Sequence, residues 1–197
     1  MSNNDKWFES YGEITLRRVG FKMGQTVLDF GCGPGSYAIP VAKIIGEQYQ
    51  VFAMEKDRME TERLTSRAKS MGLKNIVSMD ANGESTIPLD NESIDAILLY
   101  DVLHHYFYPH ENERRKLLAE LWRVLKPGGM LSLSPTHLDS YMEPKLADIE
   151  REIADANFSR EMEYRDLQMM HDGSMQKGRV INYRKNSMPL KTIRRKQ

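Results

Sequence analysis

The sequence predicts an α/β protein, a largely parallel sheet covered by helices on both faces. Two observations carry this. Short apolar runs alternate with longer stretches in which apolar residues fall three or four apart, the spacings of strand and helix. Glycine and proline punctuate the joins, at Gly72 and at Pro127-Gly128-Gly129. Strand, helix and strand in succession require crossovers, and crossovers give parallel strands with helices packed on both faces.

The elements follow in order. The apolar runs are Thr26–Phe30, Gln50–Met54, Asn75–Met79, Ser93–Tyr100 and Met130–Ser134. Between them Tyr37–Ile45, Asp57–Met71 and Glu111–Leu125 read as helices; Leu117, Leu118, Leu121, Trp122 and Leu125 show the spacing well. Gly72 stops the second of these helices, and Pro127-Gly128-Gly129 separates the third from the fifth strand. Beyond Pro135 the pattern changes. Pro144–Ala156 reads as a helix, and Phe158–Met170 with Gly178–Lys185 as a hairpin-like strand pair. Ahead of the first strand, Trp7, Phe8 and Tyr11 are amphipathically spaced. Residues 1–20 then either form a lid over a ligand or pack on the sheet edge. The expected division is one domain over 1–185 and a basic tail over 186–197.

Composition narrows the classes. The chain has 197 residues, 40% hydrophobic and 28% charged, enough to bury a core without disulfides or a structural metal. Basic and acidic residues number 28 each, so no global field recruits nucleic acid or an acidic membrane. The single cysteine, Cys32, forbids an internal disulfide and suits a reducing cytoplasm. The start, MSNNDKWFESYGE, has no apolar core of a secretory signal, and no apolar run approaches the ~20 residues of a membrane-spanning helix. The basic stretch from Lys191 to Lys196 carries no interleaved aromatic residues for base stacking, so a nucleic-acid partner is not expected. A monomer or a homodimer is expected.

The most informative stretch is Val27-Leu28-Asp29-Phe30-Gly31-Cys32-Gly33-Pro34-Gly35-Ser36-Tyr37. Ligands of open parallel sheets bind beyond the carboxyl ends of the strands. Three glycines there allow a sharp turn and leave room for a ligand. The dinucleotide fingerprint would put its third glycine one place later, where Ser36 stands. Asp29 would repel a pyrophosphate and suit an ammonium group. The loop therefore reads as a site for a nucleoside with a cationic end and no phosphates.

VLDFGCGPG resembles motif I of the class I S-adenosylmethionine-dependent methyltransferases, of the methyltransferase-11/25 type. The resemblance continues in the family's order through VFAMEKD, SMDAN, LLYDVLHH and LWRVLKPGGMLSL. It implies a Rossmann-like fold with seven strands in the order 3-2-1-4-5-7-6, the last antiparallel. It implies S-adenosylmethionine as cofactor and S-adenosylhomocysteine as product. By the resemblance, Asp29, Gly31, Cys32, Gly33 and Gly35 wrap the methionine end. Glu55, followed by Lys56, takes the ribose hydroxyls, since a carboxylate can accept two hydrogen bonds from a cis-diol. Asp80 and Ala81 meet the adenine, and Asp101 with Val102 lines the pocket after the fourth strand. Each acid also has a plain structural alternative, Asp101 as a helix cap among them.

Methyl transfer needs an aligned acceptor and, for an acidic one, a base. His104 and His105 stand just past the fourth strand and are the candidate bases; core packing or a local hydrogen bond is the alternative. Tyr106 and Tyr108 offer aromatic surface there. The place after the fourth strand reads Asp101-Val102-Leu103-His104 rather than Asn/Asp-Pro-Pro-Tyr, against acceptors of the DNA adenine class. One cysteine is too few to hold arsenite. The five histidines show no metal-ligand spacing, so no metal is expected. The expected partner is a small-molecule acceptor. The alternatives are an RNA or protein methyltransferase, a cofactor-binding module without turnover, and a nicotinamide oxidoreductase.

Overall fold

A computed structural model describes residues 3–81, 86–138 and 140–187. Seven strands form one sheet: β1 (Val27–Phe30), β2 (Val51–Glu55), β3 (Ile76–Asp80), β4 (Ile94–Tyr100), β5 (Leu125–Ser134), β6 (Phe158–His171) and β7 (Ser174–Lys185). Their order is β3-β2-β1-β4-β5-β7-β6. The first five strands pair in parallel, and β7 runs antiparallel to both β5 and β6. This is the architecture the sequence predicts.

Central strands must be apolar on both faces. Every residue of β1 is buried, and successive side chains enter opposite layers. Val27 and Leu98 pack in one layer with Leu16, Ile39 and Ile44. Leu28 and Ile97 pack in the other with Leu118, Leu121 and Ile153. The covering helices are α3 (Ala38–Ile45), α4 (Arg58–Ser70), α5 (Glu111–Val124) and α6 (Leu146–Asp155). Asp57 starts α4 as an N-cap, its side chain accepting the N–H of Met59.

The N-terminal residues are helical over Asn3–Lys6 (α1), make a π-helical turn over Trp7–Tyr11 and continue over Gly12–Arg18 (α2). Trp7 and Phe8 are buried. The Trp7 indole N–H donates to the Ser36 carbonyl at 2.6 Å, and Lys43 Nζ donates to the Phe8 carbonyl at 2.6 Å. Thr15 Oγ1 donates to the Gln168 carbonyl at 2.9 Å. The segment thus reaches both the glycine loop and β6. Among the described residues, no helix is long and apolar enough to cross a membrane. The part of the basic tail beyond Ser187 lies outside the described residues.

Three boundaries differ from expectation. Helix α3 begins at Ala38 rather than Tyr37, which is its N-cap residue. Strand β5 begins at Leu125 rather than Met130 and takes in Pro127-Gly128-Gly129. Its pairing with β4 shifts register between Ile94 and Ala96, which gives the proline, with no N–H to donate, a place in the strand. Strand β7 begins at Ser174 rather than Gly178. Asp172 and Gly173 have φ of 47° and 72°, the two positive values of a tight hairpin turn.

Candidate functional site

The glycine loop leaves β1 and turns sharply into α3. Gly31, Gly33 and Gly35 all have positive φ, at 78°, 49° and 85°. At Gly35 a Cβ would lie 2.3 Å from Leu64 Cδ1, so only glycine lets the turn sit on α4. At Gly33 a Cβ would meet nothing within 4 Å. The apex of the loop therefore faces open space. Val102, buried after β4, packs against Gly31. Cys32 is buried, and burial pushes its thiol well above the usual range. It fills space and does not serve as a thiolate.

Asp29 lies beneath this loop, 2% exposed. Its Oδ2 is buried with no hydrogen-bond partner among the described residues. Burial pushes the carboxyl up to about 7, with the nearby Glu55 charge adding to the effect and a backbone hydrogen bond from Ala38 opposing it. A buried, partnerless carboxylate oxygen is costly, and an ammonium group of a ligand would relieve that cost.

Glu55 ends β2 and is tied into the loop. Its Oε2 accepts the Gly33 N–H at 3.0 Å, and its Oε1 accepts from Lys56 N at 2.8 Å and Asp57 N at 2.9 Å. A carboxylate offers about four acceptor positions, so one on Oε2 stays open. Asp80 is the register partner of Glu55 at the end of β3 and is exposed. The Ala81 N–H donates to the Glu55 carbonyl at 3.0 Å. The three strand ends thus bring the expected nucleoside residues to one edge.

The other half of the site follows β4. Asp101 has φ of 59°, an uncommon conformation for a residue with a side chain. Two histidines meet its carboxylate: His137 Nε2 lies 3.2 Å from Oδ1, and His171 Nδ1 lies 3.2 Å from Oδ2. His104 is buried beside them, its ring centroid 5.1 Å from that of His137. Burial holds His104 below the usual imidazole range. His105 is exposed, and its backbone N–H donates to Glu143 Oε2. Lys56 reaches across from β2, its Nζ 4.3 Å from the Phe107 ring centroid and 5.6 Å from that of Tyr106. A cavity of about 320 Å³ opens alongside, lined by His105, Glu143, Arg114 and Glu152 among others.

Sequence reading named Asp101 and His104 but missed His137 and His171 as their neighbours. No spacing signal exists for that pair. One lies in the loop after β5 and the other at the end of β6, and only the folded hairpin joins them.

Residues 28–133 match the family model described as a methyltransferase domain. The chain belongs to the S-adenosylmethionine-dependent methyltransferase family. It is 29% identical over 126 residues to the methyltransferase GfsG of Streptomyces halstedii, covering 64% of this chain and 43% of that one. It is 28% identical over 144 residues to the O-methyltransferase resE of Aspergillus sclerotiorum, covering 71% and 52%. The chain therefore spans about half the length of these curated relatives. A crystal structure of an S-adenosylmethionine-dependent methyltransferase from Aquifex aeolicus shares the fold. Its TM-score is 0.71 at 22% identity, covering 92% of this chain and 93% of that one. The cofactor of the family is S-adenosylmethionine, and the unpartnered oxygen of Asp29 and the open apex at Gly33 fit its cationic end.

Proposed function

We propose that this chain transfers the methyl group of S-adenosylmethionine to a small-molecule acceptor. The observation that carries the reading is the buried Asp29 oxygen with no partner, set under a glycine loop that faces open space. An ammonium group satisfies that oxygen and a pyrophosphate does not. Glu55 supports a ribose site, because it keeps an acceptor position and can exchange the Gly33 bond for a hydroxyl. Asp80 and Ala81 then take the adenine end. Gly31, Cys32 and Gly35 shape the loop, and Lys56, Asp101 and Val102 border the methyl-donating end.

When bound, the cofactor supplies a methyl group already activated on a sulfonium. The chain must align donor and acceptor and keep water out. The acceptor side is the surface around His104, Tyr106, Phe107 and His137. A neutral His104 is able to take a proton from an acidic acceptor, with His105 the second candidate at the rim. The N-terminal segment, anchored by Trp7 on Ser36, covers the loop from the other side and can act as its lid. An O-methyltransferase among the relatives supports a hydroxyl-bearing acceptor. The single buried Cys32 suits a cytoplasmic setting.

Titration calorimetry with S-adenosylmethionine and S-adenosylhomocysteine tests the reading. Micromolar binding, weakened at least about tenfold (~1.4 kcal/mol) in Glu55→Ala, is expected. Turnover over a panel of small hydroxylated acceptors then separates an enzyme from a binding module. No binding by the folded protein would refute the proposal.

A further inference from the structure

The Asp101 cluster has a geometry that a hydrogen-bonded acid–base pair does not explain. Three strand ends bring it together: Asp101 after β4, His137 after β5 and His171 at the end of β6. One imidazole nitrogen faces each oxygen of a single carboxylate, both at 3.2 Å. The three donor atoms all lie within 4.8 Å of one another. Asp101 Oδ1 is nevertheless buried and accepts no hydrogen bond. His137 Nε2 is close, but no hydrogen bond joins it to that oxygen. Converging lone pairs, rather than a donor aimed at an acceptor, are what a cation requires.

The surroundings agree. His171 Nε2 lies 3.4 Å from Asp172 Oδ2. A carboxylate facing the outer nitrogen favours the tautomer that leaves the inner one free to bind a metal. The ring of His137 is packed on both sides, 5.1 Å from His104 and 4.9 Å from His171 between centroids. The ring is thereby restrained before any ion arrives.

We propose that Asp101, His137 and His171 bind one divalent transition-metal ion at the acceptor side of the site. Two imidazoles and one carboxylate select a borderline ion of the zinc, iron(II) or cobalt(II) kind over magnesium or calcium, which prefer oxygen donors. Three protein ligands leave coordination positions open, the pattern of catalytic rather than structural sites. Resting on the methyltransferase reading, this also assigns the acceptor class: a hydroxyl with a second oxygen beside it, able to chelate the ion. Bound to a cation, such a hydroxyl ionises near neutrality.

The test uses untagged full-length protein, stripped by chelator and titrated with Co²⁺, followed by calorimetry and by visible absorption. S-adenosylhomocysteine binding is measured on the same samples. One equivalent of Co²⁺ should bind at micromolar concentration and be displaced by Zn²⁺. His137→Ala and His171→Ala should each weaken uptake at least about tenfold while still binding S-adenosylhomocysteine. His110→Ala, at an exposed histidine outside the cluster, should bind Co²⁺ as the parent does. No uptake by protein that binds S-adenosylhomocysteine overturns the metal site and leaves the methyltransferase reading standing. Uptake unchanged in both cluster variants, or weakened equally in His110→Ala, overturns it too. Uptake that follows the cluster, without S-adenosylhomocysteine binding, upholds the ion site and sinks the methyltransferase reading instead.

Discussion

The Tyr37 hydroxyl donates to the Met170 carbonyl at 2.7 Å and accepts the Met170 N–H at 3.1 Å. One side chain at the end of the glycine loop therefore holds both backbone groups of the residue before His171. The ring is wedged edge-on between Trp7 and Tyr100, with centroids 5.5 Å and 4.8 Å away. The glycine loop and the hairpin that delivers His171 are thus tied together. In Tyr37→Phe the ring stays and both bonds go. Urea unfolding should show a loss of about 1–3 kcal/mol, the cost of leaving buried backbone groups unpaired. An unchanged midpoint would mean that water replaces the hydroxyl and that the tie contributes nothing.

Two glycines of the same loop should fail in different ways. At Gly35, an added methyl meets Leu64 and Ile39 in the core and sits at φ of 85°. Gly35→Ala should cost about 2–4 kcal/mol by strain and overpacking, read as a lowered melting temperature. At Gly33 the space is open and φ is 49°, so Gly33→Ala should cost only about 1 kcal/mol of stability. Its methyl projects into the open space that the proposed function gives to the ligand. S-adenosylhomocysteine affinity should therefore drop at least about tenfold (~1.4 kcal/mol). Equal affinity in Gly33→Ala and the parent would move the cofactor away from the loop.

Arg114 and Glu152 form a buried two-point pair between α5 and α6, at 2.8 Å and 2.7 Å. The guanidinium also donates to the carbonyls of Tyr108 and Pro109, at 3.0 Å and 3.3 Å. It therefore fixes the loop that follows β4 as well as the two helices. Glu152→Ala strands a buried cation and should destabilise by about 3–5 kcal/mol. Replacing both partners, as Arg114→Met with Glu152→Leu, should recover much of that loss, because no charge is left unpaired. Denaturation of Arg114→Met, Glu152→Leu and the double variant checks the coupling; additive losses would show that the pair does not act as one.

The signals for the expected cofactor residues are local. Asp29 and the three glycines fall within seven residues of chain, at 29, 31, 33 and 35, and Glu55 and Asp80 each follow a short apolar run. The two histidines that flank Asp101 were not legible. Strand β6 shifts register between Arg160 and Met162 and again between Tyr164 and Leu167, with Asp166 at φ of 56°. Such irregularities bend a strand, and here the far end of the hairpin meets Tyr37 and Asp101. Nothing in the spacing of His137 and His171 encodes that bend. The turn itself had a usable signal in Asp172-Gly173, which marks a tight hairpin and places the start of β7 at Ser174.

If Asp29 meets the ligand ammonium as proposed, cofactor binding should depend on pH. Its carboxyl is pushed up to about 7, first by burial and then by Glu55. The native state therefore holds a proton that the unfolded chain, titrating near 3.8, has already lost. Between those values stability falls as pH rises, and the loss is complete once pH passes the native value. Asp29→Asn removes the penalty, so the stability of the variant relative to the parent should climb by a few kcal/mol between pH 4 and 8. Binding runs the opposite way. A ligand ammonium favours the ionised carboxylate, so it must expel the proton at low pH. The affinity of the parent for S-adenosylhomocysteine should rise by up to about tenfold per pH unit below 7 and level off above it. In Asp29→Asn the curve should be flat and low. Calorimetry in two buffers of different ionisation enthalpy would count the proton directly. A parent whose affinity ignores pH from 6 to 8, with no proton released, would show that the ammonium does not reach Asp29.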